Sequence, residues 1–378
     1  MNDIKEKTTV PNMSVGADME QPISKNSNDS ISDDAENFNK NILERMRKMN
    51  LPGYIHTVTM NELYENVYHS RPPIIDGLLH AGTYLFVGAP KVGKSFFMAQ
   101  LAYHVSKGIP LWGYEVKKGT VLYLALEDDY RRLQERLFRM FGTESTDDLY
   151  FALCANQLDN GLDEQLQRFK SEHPDTKLII IDTLQKIREA SGDKYSYASD
   201  YEIVGKLKRF ADNNNICLLL VHHTRKQQSE DKFDMISGTN GLLGAADGAF
   251  LLQKEKRTSN SAVLDISGRD QQDQRLYLTR DTERLTWEFE KAEIELWKEP
   301  ADPILEEVAK ILSVEKPEWS GTPTELVELL NLDMKPNSLS LRLNVNAGRL
   351  LNDYNIYYEN GRTHAGRNIK FTLQVPEA

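Results

Sequence analysis

Apolar residues in this chain come in short runs separated by stretches of helical spacing. From Ile55 to about Phe289 the runs are Tyr84–Val87, Val121–Leu126, Leu178–Ile181, Ile216–Val221, Ala249–Leu252 and Val263–Ile266. Short, continuous apolar runs predict strands buried on both faces. Between the first of them lie Ser95–Ser106, Tyr130–Phe141, Leu162–Lys170 and Tyr201–Asn213, amphipathic and of helix length. Strands alternating with helices predict an α/β fold, a mainly parallel sheet covered on both faces. The last two runs flank the polar turn Lys256–Asn260 and are expected to pair antiparallel at the sheet edge.

Outside this block the pattern changes twice. The first 40 or so residues are polar, rich in Asn, Ser, Asp and Glu, without apolar periodicity, and read as a disordered tail. Beyond Pro300, helical spacing recurs over Pro303–Val314, Thr322–Leu330 and Pro336 to about Leu351. The third of these has proline in the early position that suits a first helical turn. Asn355–Tyr358 and Ile369–Leu373 then flank a turn expected at Asn360-Gly361. Helix, helix, helix, hairpin predicts a small winged-helix-like unit. The expected organisation is a tail over 1–45, an α/β domain over 46–295 and the winged-helix-like unit over 296–378.

Composition narrows the class. A net charge of −11 argues against a surface coated in basic residues for nonspecific nucleic-acid binding. One local exception is the stretch 335–370, where Lys335, Arg342, Arg349, Arg362, Arg367 and Lys370 face only Asp353 and Glu359, a net +4. With His364, the residues Arg362 and Arg367 would sit on the wing tip and suit phosphate contacts, while Asn344 and Asn346 on the third helix could reach base edges. The competing reading is a solvated hairpin or a protein-docking domain. No apolar run of membrane-spanning length and no secretory leader occur, and the two cysteines make no disulfide framework, so a cytoplasmic protein is expected.

The chemistry is concentrated in Gly88-Ala89-Pro90-Lys91-Val92-Gly93-Lys94-Ser95, which fits the phosphate-loop pattern G-x-x-x-x-G-K-[ST] between a predicted strand and a predicted helix. The glycines let backbone N–H groups turn inward on phosphates, and the helix N-terminus adds its dipole. Lys94 would reach the β- and γ-phosphates of ATP, the Ser95 hydroxyl would bind Mg²⁺, and Phe96 follows at the nucleotide side. Leu178–Ile181 ends in Asp182. Ligands of open α/β sheets sit at strand C-termini, so Asp182 is expected in the Mg²⁺ shell. Asp182 is followed by Thr183 and not by an acid. Glu127, closing the strand Val121–Leu126, is therefore the candidate base that orients and deprotonates water. Its bland alternative is a first-turn charge, a role better suited to Asp128 and Asp129. His222 and His223 close another crevice strand, and one of them could sense the γ-phosphate, which one being open.

Taken together, Ile75–Leu79, the phosphate loop, Glu127-Asp128, Asp182-Thr183, Val221–Arg225 and the glycine-rich Ser237–Asp247 resemble the RecA-like ATPases of the plasmid replicative helicase RepA type, over roughly residues 55–290. The resemblance implies a hexameric ring with ATP at subunit interfaces, and Gln227–Ile236 and Ser237–Gly244 as channel loops for single-stranded DNA. It also implies an arginine reaching a neighbour's nucleotide. Arg269 in Gly268-Arg269-Asp270 is favoured, with Arg275 and Arg280 as weaker alternatives. The expected function is an ATP-dependent DNA helicase or translocase in replication of a plasmid or mobile element. The alternatives are a RecA/RadA-like repair ATPase or an ATP-switched DNA-binding regulator or loader. The C-terminal unit is an addition to the family pattern.

Overall fold

A computed structural model of the chain describes residues 55, 57–68, 73–188, 197–224, 233–236, 240–254, 256–269, 273–293, 301–363 and 366–374. The expected polar tail lies outside the described residues, as do 227–232 and 237–239 of the two channel-loop candidates and His364. The chain divides into a unit of residues 1–63, of which the described part opens the helix α1 (Met60–Glu65), and a unit of residues 64–378.

The larger unit begins with a small hairpin, β1 (Pro73–Ile75) and β2 (Leu79–His80), and enters the main sheet at β3 (Gly82–Gly88). The chain continues through α2 (Lys94–Lys107), β4 (Val121–Ala125), α3 (Tyr130–Phe141), β5 (Leu149–Ala152) and α4 (Asp163–Glu172). Then come β6 (Leu178–Asp182), α5 (Tyr197–Asn214), β7 (Cys217–His223), α6 (Asn240–Ala245) and β8 (Gly248–Gln253). The strands β9 (Ser261–Gly268), β10 (Gln274–Arg280) and β11 (Trp287–Ala292) complete a nine-stranded sheet in the order β11-β10-β9-β8-β3-β7-β6-β4-β5.

The six strands from β8 to β5 run parallel. β3, β4 and β6 are buried at every position, which is why they read as unbroken apolar runs. Alternate residues feed opposite layers. Phe86, Tyr123 and Ile180 join a core with Phe97, Met98 and Leu133 from α2 and α3. Leu85, Leu122 and Ile179 join one with Leu166, Val204 and Leu242 from α4, α5 and α6.

The pairing of β8 with β9 is antiparallel as expected, but the pair does not form the sheet edge: β10 and β11 continue the sheet beyond it. These strands are buried on one face only, and β10 alternates buried and half-exposed positions through Gln274–Tyr277, so neither presents an apolar run. β5 escapes detection for a similar reason, being four residues long with no fully buried position.

The C-terminal part follows residue 300 with its own core of Leu305, Val308, Leu326, Leu339, Leu343, Leu350, Tyr358 and Phe371. Its elements are α7 (Pro303–Ile311), β12 (Glu318–Gly321), α8 (Pro323–Leu329), α9 (Pro336–Val345), α10 (Ala347–Tyr354), β13 (Ile356–Thr363) and β14 (Gly366–Leu373). The sheet order is β12-β14-β13. The expected third helix is two helices that meet at Asn346, and β12 has no counterpart in the expected order of elements. Asn360 and Gly361 lie inside β13, paired with Ile369 and Asn368; the hairpin reverses between Thr363 and Gly366.

Several residues expected to face DNA have partners inside the protein. Asn344 is buried; its amide donates to the carbonyls of Tyr64 (2.9 Å) and Glu65 (3.1 Å), and its oxygen accepts from Tyr358 and Asn360. Asn346 donates to Arg342 O within the helix end. Arg342 is bound to Asp302 at 2.8 Å, Arg349 lies 3.6 Å from Asp353, Arg367 3.9 Å from Glu65 and Lys370 3.0 Å from Glu318. The local +4 is a property of the window: Asp302, Glu318 and Glu65 lie outside it.

Candidate active site at the strand ends

The parallel register sets the ends of four strands at one level. Gly88 of β3 pairs with His223 of β7, and Ala125 of β4 pairs with Asp182 of β6. The phosphate loop leaves β3 at this level. Gly88 has no room for a side chain, since a Cβ would come within 2.7 Å of Leu252 O. Gly93, just before α2, has φ 109°, a left-handed conformation that favours glycine, and a Cβ there would meet the Trp287 ring at 2.9 Å.

Lys94 lies buried under the loop. Its amine donates to Gly88 O (2.7 Å) and Ala89 O (3.1 Å) and stands 3.2 Å from Nδ1 of His223. Burial lowers its pKa to about 8, against the opposing pull of Asp182 and Glu127. Asp182 is buried too. Burial raises its pKa, and hydrogen bonds from Ser95 and Tyr123 together with the Lys94 charge oppose the rise. Glu127 is exposed and accepts a hydrogen bond from Thr183 Oγ1 at 3.1 Å. The pKa of His223 is lowered by burial and then by Lys94, with Glu127 and Asp182 opposing. Thus Lys94, Asp182, Glu127 and His223 share one electrostatic neighbourhood. His222 is buried one position earlier on the strand, and the histidine beside Lys94 is His223.

The residues fit a hard divalent cation. Ser95, in the first turn of α2, and Asp182, at the end of β6, are hydrogen-bonded and would offer it oxygen ligands. Among the described residues no group of three or more His, Cys, Asp or Glu could cage a metal. Mg²⁺ suits such a place, because it is commonly held by one or two protein oxygens together with substrate phosphates.

Around the start of α2 the structure adds residues that sequence reading missed. Phe96 carries the Arg280 guanidinium 4.3 Å and the Arg136 guanidinium 5.1 Å from its ring centroid. Arg136 is ion-paired at 2.6 Å with Asp128, so Asp128 anchors an arginine, while Asp129 is the residue that caps α3 through Arg132 N. The strand Trp287–Ala292 is tied to α2 by Gln100, which exchanges two hydrogen bonds with the Trp287 main chain.

Arg269 lies at the other end of the sheet. Gly268 pairs with Gly248, which in turn pairs with Tyr84 at the start of β3; the Arg269 N–H donates to Asp247 O and its guanidinium to Gly244 O. It is remote from the phosphate loop of its own chain. Arg275 is held by Asp265 and Glu293. Arg280 stacks on Phe96 at the start of α2 of its own chain.

Comparison with known proteins agrees with this picture of the core. Residues 52–229 match the model of the AAA_25 family, described as an AAA domain. The DNA repair protein RadA of Streptococcus pneumoniae (strain ATCC BAA-255 / R6) is 28% identical over 153 residues, 40% of this chain and 32% of RadA, so the match spans about a third of that relative. Among solved structures, a DnaB-like replicative helicase, solved in a study of its interactions with primase, aligns with a TM-score of 0.47 at 17% identity, over 68% of this chain and 74% of that one. A KaiC-like protein from the hyperthermophilic archaeon Pyrococcus horikoshii aligns with a TM-score of 0.42 at 15% identity, over 60% of this chain and 99% of that one. The larger part of the chain is an α/β domain with a mainly parallel sheet and a phosphate loop, and residues 52–229 of it match an AAA domain. No described helix is long and apolar enough to cross a membrane.

Proposed function

We propose that this chain hydrolyses ATP with Mg²⁺ and uses the turnover to move on DNA, as a ring-forming translocase or helicase of the RepA kind serving a plasmid or other mobile element. The observation that carries the catalytic half is the convergence of Asp182, Glu127 and His223, from the ends of three strands, on Lys94 at the phosphate loop.

In this reading the loop N–H groups and Lys94 hold the β- and γ-phosphates, and Ser95 and Asp182 hold Mg²⁺. The ion withdraws charge from the phosphate oxygens. Glu127, steadied by Thr183, takes the proton of the water that attacks the γ-phosphorus while the β–γ bridging bond breaks and ADP leaves. His223, beside the Lys94 amine, answers to loss of the γ-phosphate. Arg269 works in a neighbouring subunit, a role supported by its distance from its own loop.

The DNA half rests on the motif resemblance and on RadA being, by name, a DNA repair protein. The RadA similarity also favours a second reading, a repair ATPase that binds single strands without unwinding. The C-terminal part, with its winged-helix-like order, is read as a docking domain for a replication partner, because Arg342 and Lys370 are paired with its own Asp302 and Glu318. ATP hydrolysis with and without single-stranded DNA, beside a forked-duplex unwinding assay, tests the whole. Stimulation with strand displacement supports the helicase; stimulation without it supports the repair ATPase. ATP-dependent DNA binding without turnover would mark a loader.

A further inference from the structure

Tyr123 is the one hydroxyl-bearing residue in β4, whose sequence is Val-Leu-Tyr-Leu-Ala. Its side chain is fully buried in the core between sheet and helices, with the Phe151 ring 5.5 Å away. Packing alone would be served by phenylalanine. The phenol is nonetheless placed with care: Tyr123 pairs with Ile180, two residues before Asp182 on the same face of β6, and its Oη donates to Asp182 Oδ2 at 2.8 Å. A buried tyrosine hydroxyl needs a partner, and this one takes the aspartate that the reading above assigns to magnesium.

The grip is two-sided. Ser95 bonds Asp182 from the phosphate-loop side, and Tyr123 bonds it from the core side. A carboxylate turns easily about its last torsion, which is broad and roughly two-fold. A donor fixed in the sheet and bound to one oxygen stops that rotation and leaves the remaining lone pairs directed to the Ser95 side. Outer partners of metal-binding carboxylates act in this way, and their loss typically lowers metal affinity by about 10–100-fold.

We infer that Tyr123 is a positioning residue that orients Asp182 for the Mg²⁺ of the nucleotide complex. The inference rests on the assignment of Asp182 to that ion. It acts on the metal step and leaves the phosphate cradle of Gly88–Lys94 untouched.

The test uses full-length protein carrying Tyr123→Phe, Tyr123→Met or Asp182→Asn. Mn²⁺ binding to the ADP-loaded protein is followed by electron paramagnetic resonance, ADP affinity is measured in EDTA, and thermal melting is recorded for each variant. Both Tyr123 variants should lose about 10–100-fold in Mn²⁺ affinity while metal-free ADP affinity stays within about twofold of wild type. In turnover, the Mg²⁺ concentration for half-maximal rate should rise by the same factor, with kcat at saturating Mg²⁺ little changed. The two variants differ in packing, so their melting temperatures should differ while their Mn²⁺ losses agree. Losses that follow melting temperature instead of the missing hydroxyl would overturn the inference. Unaltered Mn²⁺ affinity in both Tyr123 variants, with Asp182→Asn impaired, would remove Tyr123 alone. Unaltered affinity in Asp182→Asn would remove the assignment of the aspartate and this inference with it.

Discussion

The strand ends around the phosphate loop and the C-terminal part hold similar numbers of suggestive polar residues, yet they use them in opposite ways. At the strand ends Asp182, Glu127 and His223 follow or close three different strands and meet Lys94 from the start of α2, and burial and neighbouring charge shift the pKa values of Lys94, Asp182 and His223. In the C-terminal part Arg342 meets Asp302, Lys370 meets Glu318, and Asn344 fills its hydrogen-bonding capacity with Tyr64, Glu65, Tyr358 and Asn360. Buried polar partners from distant segments occur in both regions. They signal chemistry where they converge beside a ligand cradle, and architecture where their bonds are used up in tying elements together.

The contrast is broken most directly at the loop. Lys94→Ala should abolish nucleotide binding or turnover, read by fluorescent-ATP titration and phosphate release. Glu127→Gln should keep ATP binding and lower turnover by about 10²–10⁴-fold, the usual contribution of a general base. Near-normal turnover in Glu127→Gln would remove the glutamate from the mechanism. Next in size is Arg269→Ala, expected to bind ATP but to hydrolyse it roughly 10³-fold more slowly. Mixing it with Lys94→Ala subunits should restore part of the rate, because a mixed interface can join an intact loop to an intact arginine. Mixed oligomers that show no rescue would count against a role in trans.

The C-terminal part should answer in stability and not in turnover. Asp302 accepts from Ile304 N at the start of α7 and from Arg342. Burial pushes its carboxyl up, but the Arg342 and main-chain hydrogen bonds outweigh this, and its pKa lies below the ordinary value. A carboxyl lowered on folding stabilises above its unfolded pKa, and that stability is lost as pH falls through the folded value. Hydrogen-exchange protection of Pro303–Ile311 should therefore fall as pH drops below about 4. Asp302→Ala should cost about 1–2 kcal/mol at neutral pH and remove that acid dependence. Smallest of all, Arg349→Ala with Lys370→Ala should change DNA-stimulated hydrolysis by less than about twofold, since both cations are already engaged by carboxylates of their own surface, Asp353 and Glu318. A flatter salt dependence of DNA binding in that double variant would return this face to the DNA-reading role.

The sequence made the parallel core legible because strands buried on both faces leave continuous apolar runs; the helix Tyr130–Phe141 matches its expected bounds to the residue. β10 and β11 were lost because their exposed positions carry Arg275, Glu288 and Glu290, which break any run. Period-two alternation in Gln274–Arg280 was the signal that could have revealed β10. Within the site, the motif residues were legible since their chemistry is fixed by position along a strand or loop. Thr183, Arg136 and Trp287 were not, because what defines them is contact across the fold: Trp287 stands 194 residues from the Gly93 carbonyl it faces. The hydroxyl of Tyr123 in an otherwise aliphatic strand was a readable sign of a buried polar partner.

That tryptophan has a practical consequence. Its indole closes against Gly93, with Lys254 Nζ 5.3 Å and the Arg280 guanidinium 5.8 Å from the ring centroid. An indole flanked by two cations is a built-in optical probe, for an anion that draws either cation away should alter its emission without any added dye. It also means that one wall of the loop comes from outside the motifs. A fragment ending at residue 229, where the family match stops, would retain Gly88–Ser95, Glu127, Asp182 and His223 while shedding the indole that walls the loop.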